Sequence, residues 1–147
     1  MVLVTAHIAV DERAHRAAIK AAIEVSISPW FAYGYDDVPG LRGADGKVNA
    51  AEQPPIYVLL SVERRFADVN IRAGAARGVN AVRLSTRVVG RTEDEAAWAR
   101  KKVSEALEEN VLTISSIETT PFWFENEEPI QFDDGRYSGL TRWTYQH

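Results

Sequence analysis

The chain has 147 residues, a formal net charge of −4, 46% hydrophobic and 26% charged residues, and no cysteine. That length points to a single domain spanning 1–147 with a sizeable core. The lack of cysteine excludes disulfide and thiol chemistry and fits a reducing compartment. No apolar run approaches the roughly 18 residues of a membrane span, and no basic segment followed by an apolar one opens the chain, so neither membrane insertion nor secretion is expected.

Met1 to Val10 is apolar and reads either as a short strand or as a run into the first helix. Asp11 to Val25 reads as that helix: it is rich in alanine, Ile19 and Ile23 lie four apart, and Asp11 and Glu12 suit its N-terminus. Ser26 to Pro29 ends it, because the residue before a proline avoids helical geometry. Trp30 to Tyr35 (WFAYGY) is an aromatic patch, read as core or strand, with a contact surface as the functional alternative. Asp36 to Pro55 is loop-like, and long for a compact domain. Its aspartates lack the calcium-loop spacing, so no metal site is expected.

Ile56 to Phe66 is a strong strand candidate. Ala67 to Gly78 connects it to Asn80–Val89, where Val82, Leu84, Thr86 and Val88 alternate with polar residues at a period of two. The pair reads as a long antiparallel hairpin with an elaborated tip. Gly90 ends the second strand. Thr92 and Glu95 then have capping-box spacing, and Ala96, Ala99, Val103, Ala106 and Leu107 form one apolar stripe of a helix that Asn110 stops. Val111 to Glu118 alternates as a further strand. Phe122, Trp123 and Phe124 make a second aromatic cluster, Glu125 to Asp134 is acidic, Asp133-Asp134-Gly135 signals a turn, and Arg136 to Gln146 is a final strand. The order helix, strand, strand, helix, strand, strand predicts an α+β domain with long loops: an antiparallel four-stranded sheet with two main helices on one face.

Charge is unevenly placed. Arg64 to Arg91 holds seven arginines against one acid, and Glu105 to Asp134 holds nine acids and no Lys or Arg. Two readings stand. The blocks neutralise each other inside one fold, or the basic face of one copy meets the acidic face of the next in a ring or stack. Nucleic-acid binding is weaker, because the basic block lacks interleaved aromatics.

No catalytic constellation appears. HExxH, GxSxG, GxGxxG and the P-loop are absent, His7 and His15 have no matching carboxylates, and the paired acids are sequence neighbours that do not face each other across a cleft. The expectation is a non-enzymatic protein with no cofactor and no metal. A small cytosolic ligand-binding domain, with WFAYGY lining a pocket, is the alternative from another class.

From Pro54 to Gln146 the chain resembles the tail terminator (tail completion) family of long non-contractile-tailed bacteriophages, of the lambda type. The resemblance rests on PPIYVLLSVERR, on VRLSTRVVGRTEDEA running into a helix, on ALEENVLTISSIE, on the acidic loop, and on the closing DDGRYSGLTRWTYQ. It implies a virion protein at the head–tail junction, assembled in the host cytoplasm. The implied form is a homo-hexameric ring that caps the tail tube and joins the head-completion (stopper) protein, with DNA passing through its lumen without sequence-specific binding. A head-side connector is the near alternative. Interface candidates are Arg72 and Arg77 at the hairpin tip, Arg83 and Arg87 on the strand, and Trp123, Glu125, Glu127 and Glu128 in the aromatic and acidic stretch.

Overall fold

The computed structural model describes residues 10–35, 37–40, 52–64 and 81–147. Helix α1 (Glu12–Ile27) is followed by β1 (Phe31–Tyr33), β2 (Ile56–Arg64), β3 (Ala81–Gly90), α2 (Glu93–Leu107), β4 (Thr113–Ile114), β5 (Ile117–Glu118), β6 (Trp123–Glu127), β7 (Gln131–Asp133) and β8 (Arg136–Gln146).

The helices start where their caps dictate. The Asp11 carboxylate accepts from the backbone N–H groups of Arg13 and Ala14 at 3.1 and 3.2 Å. At α2 the Thr92 hydroxyl accepts from the Glu95 N–H at 3.1 Å while the Glu95 carboxylate accepts from the Thr92 N–H at 3.2 Å, a complete capping box. The α2 end differs in mechanism from its sequence reading. Glu109, not a glycine, takes the left-handed conformation at φ 60°, and the Asn110 amide donates to the carbonyls of Glu105 and Ala106.

The expected hairpin is present. β2 pairs antiparallel with β3 from Ile56↔Gly90 to Arg64↔Val82, and β3 pairs antiparallel with β8 from Ala81↔Gln146 to Gly90↔Tyr137. Two corrections follow. The main sheet has six strands rather than four, and it is mixed rather than antiparallel. β1, from the WFAYGY residues, joins β2 in parallel. The acidic stretch forms β6 and β7, both antiparallel to β8. Val111–Glu118, in contrast, does not extend the main sheet. It folds into the separate β4–β5 hairpin, whose turn places Ser115 and Ser116 at φ 53° and 69°.

α1 and α2 cover one face. Ile19, Ile23 and Ile27 of α1 and Ala96, Ala99, Val103 and Leu107 of α2 meet Val58, Leu60, Leu84, Val88, Trp143 and Tyr145 in the core. On the opposite face, a smaller cluster of Val38, Tyr57 and Val89 is sealed by Tyr33 and Leu59. Among the described residues, no helix is long and apolar enough to cross a membrane.

Candidate assembly surfaces

The face of the sheet away from the helices is set by register. Direct pairing puts Glu63, Arg83, Thr144 and Trp123 in one row across four strands, and Ser61, Ser85 and Arg142 with Asn126 in the next. A third row is Leu59, Arg87 and Leu140. The alternation that buries Leu84, Thr86 and Val88 therefore turns Arg83, Ser85 and Arg87 outward together.

Arg83 reaches across β8 to Glu125. Its Nε lies 3.0 Å from Glu125 Oε2, its Nη2 donates to Oε1 at 3.3 Å, and Glu63 Oε1 stands 3.8 Å from Nη1. A bulge makes this possible. Phe124 pairs with Trp143 and Asn126 with Arg142, so Glu125 is an extra residue in β6 and is re-aimed toward the arginine. Arg142 contacts Glu128 at 3.4 Å and donates to Asn126 at 3.0 Å. Arg87 donates to Ser138 Oγ at 3.2 Å and has no ion pair among the described residues. On the helix side, Arg100 of α2 stands 3.7 Å from Glu127 Oε1 and donates to the Glu128 carbonyl at 2.6 Å.

The three candidate glutamates thus each meet an arginine of their own chain. Only Arg83 among those arginines belongs to the basic block; Arg100 and Arg142 lie outside it, and sequence reading did not single them out. Arg72 and Arg77 lie outside the described residues.

The second surface is the margin formed by β6 and β7. Among the described residues these strands pair only with β8, so their other edges carry unpaired backbone groups. Trp123, Phe124 and Phe132 are 50%, 48% and 63% exposed there. Trp123 stands on the outer face; Phe124 and Phe132 stand on the helix side, edge-on to Trp143 and Tyr137. Val111 and Ile117, also exposed, belong to the segment leading into this margin. Sequence reading placed Trp123 and Phe124 in an aromatic cluster but missed Phe132. The signal available for it was a lone aromatic two residues ahead of a hairpin turn. The opposite margin, at β1, exposes Phe31 and Tyr35 from the WFAYGY patch.

The perturbed titrating groups sit in structural settings. Burial raises the Tyr57 hydroxyl, which donates to Gln53. Burial lowers Arg136, whose guanidinium donates to the carbonyls of Gln53, Pro54 and Pro55 at 3.0, 2.7 and 3.0 Å. Among the described residues, no group of three or more metal-binding side chains is arranged to hold an ion.

Comparison with known protein families finds no match, and comparison with curated proteins finds none. Among solved structures, the chain is similar to a chain of the "Virion of native gene transfer agent (GTA) particle", with a TM-score of 0.59, 16% sequence identity, and coverage of 89% of this chain and 92% of that one. What the two chains share at that identity is the fold, over nearly the full length of both.

Proposed function

We propose that the chain is a structural, non-enzymatic virion protein of a phage-like particle. It assembles with copies of itself into a ring that caps the tail tube at the head–tail junction. The observation that carries this reading is the exposed aromatic margin at β6–β7, on a fold shared with a chain of a virion particle. An open edge with three exposed aromatics is a ready site for another chain. A margin of this kind at one end of a sheet, with a different one at the other, favours head-to-tail contacts, which close into rings when the rotation permits.

Capping in this reading works by shape. One face of the ring repeats the contacts that a further tube ring would make, and the other face takes the head-completion protein instead. Trp123, Glu127 and Glu128 belong to the contact between copies. Glu125 acts through Arg83, holding it flat across β8. Arg87, bonded among the described residues to Ser138, faces either the neighbouring copy or the DNA in the lumen. Arg72 and Arg77 contact the adjoining ring.

Native mass by light scattering, across a concentration series and with purified tail tube protein added, tests this. A hexamer, or a monomer driven to a hexamer by tube protein, is expected. A monomer indifferent to both overturns the reading, and a ring that ignores tube protein assigns the chain to the head-side connector.

A further inference from the structure

The start of α1, the end of β8 and the β4–β5 hairpin meet at one corner, and two histidines sit in it. His15 is one turn into α1 and only 2% exposed. Its Nδ1 hydrogen-bonds the Tyr145 hydroxyl. The His147 ring stands edge-on to it with centroids 4.7 Å apart. His147 Nε2 lies 2.9 Å from the Ile114 carbonyl, so this nitrogen carries a hydrogen and donates it. On the far side of Tyr145, the Phe122 ring stacks at 4.1 Å. Phe122 immediately precedes β6. The same corner ties Gln146 to Thr120 twice: its N–H donates to the Thr120 hydroxyl at 2.8 Å, and its carbonyl accepts from the Thr120 N–H at 2.9 Å.

The geometry points to an acid-sensitive clasp: protonation of His15, buried between Tyr145 and His147, opens the contact that holds the end of β8, and with it the start of β6, against α1. Charge at His15 is disfavoured first by burial and then by the neighbouring His147. The opposing group is Asp11, whose carboxylate is already committed to capping α1. Tyr145 faces His15 from β8, but burial drives its pKa up, so the hydroxyl stays neutral and offers a hydrogen bond with no counter-charge. β4 contributes only the Ile114 carbonyl, and it faces His147. Asp11 partly offsets a charge at His15, but burial and the facing His147 outweigh it.

His15 in the folded chain has a pKa below its ordinary value of 6.5. Its contribution to stability is present above that value and is lost as pH falls from there through the folded pKa. Opening of the corner depends only on this cluster. Its consequence for assembly rests on the ring reading, because Phe122 and Thr120 place Trp123 and Phe124 at the margin.

Histidine side-chain resonances and amide protection factors of the full chain, followed from about pH 7.5 to about pH 5, test the clasp across the range in which histidine titrates. Protection at Ile114, Gln146 and Trp123 is expected to fall by up to about ten-fold per pH unit below about pH 6.5 and to level off once His15 in the closed corner has taken up its proton, while β3 amides stay protected. His15→Gln keeps a polar partner for Tyr145 and removes the titration, so its protection should be flat with pH. His147→Gln leaves His15 without its facing ring and should reduce the fall. Corner protection that is flat in the wild type, or an unchanged fall in His15→Gln, overturns the proposal. Should His15→Gln fail to fold, the wild-type titration decides: His15 titrating without loss of corner protection also overturns it. Native mass in the same buffers separates the two readings. A ring that dissociates in acid in the wild type but not in His15→Gln supports both. A monomer at every pH removes the ring, and the protection factors still decide the clasp.

Discussion

Trp143 is held by a single polar atom. The side chain is 1% exposed, its indole N–H donates to Thr86 Oγ1 at 3.1 Å, and the same hydroxyl donates to the Thr141 carbonyl at 3.3 Å. Period-two alternation placed Thr86 among the inward residues, but nothing local shows that its hydroxyl is the partner of an indole 57 positions away. Thr86→Val keeps the shape and strands a buried donor, which costs about 1–3 kcal/mol. Thr86→Ser keeps the acceptor and should recover most of that loss. Urea unfolding checks both, with a lowered midpoint and an unchanged slope expected for Thr86→Val. Arg83 and Glu125 present the opposite case. The pair is close, but Arg83 remains one-third exposed. A double-mutant cycle on Arg83→Ala and Glu125→Ala should return a coupling of about 0.2–1 kcal/mol that shrinks in salt. A coupling of several kcal/mol would show that the pair is desolvated.

Elements were legible where their signals are local. The capping box at Thr92 and Glu95, the stripe of α2, the alternation of β3, and the turn at Asp134 and Gly135, both at positive φ, each lie within a few residues of the feature they produce. The strand at β1 was legible in WFAYGY but its parallel partner was not, and β6 was missed altogether, because nothing in a three-residue or an acidic five-residue segment says which strand it will join. The β6 bulge at Glu125 was equally hidden, since it exists only relative to β8. The β4–β5 hairpin misled for a related reason. Alternation from Val111 to Glu118 satisfies the strand pattern, but Ser115 and Ser116 turn the chain back after two residues. The junction of β3 and α2 gives a measurable contrast. Thr92→Ala removes one cap and should cost about 1 kcal/mol. Gly90→Ala should cost more, because a Cβ there would lie 2.8 Å from the Ala96 backbone nitrogen and 2.9 Å from Glu95 Cβ. Thermal unfolding of the two variants checks the order, and a milder effect at Gly90 would show that the junction relaxes.

At the scale of the whole molecule, charge and exposed aromatics are placed differently: the charges pair within the chain, and the aromatics stand at the margin of the sheet. The acidic stretch that reads in sequence as one undivided block is split by the sheet. Glu125 turns to Arg83 on the outer face, and Glu127 turns to Arg100 on the helix side. Glu125, Glu127 and Glu128 thereby meet arginines of their own chain, whereas Trp123 and Phe132 contribute little to the core that is already filled by Trp143, Tyr145 and Phe122. Substitutions at these two positions should therefore divide cleanly. Trp123→Ser and Phe132→Ser are expected to leave the unfolding midpoint of the monomer within about 0.5 kcal/mol, the range of surface changes. On the proposed ring reading, self-association should weaken by about ten-fold or more for each, the size of an aromatic anchor lost from an interface. Sedimentation of both variants beside the wild type reads the association, and urea unfolding reads the fold. Loss of both properties together would place the aromatics in the core of the fold, whereas association unchanged in both variants would move the contact between copies away from the β6–β7 margin and toward Phe31 and Tyr35 at the other end of the sheet.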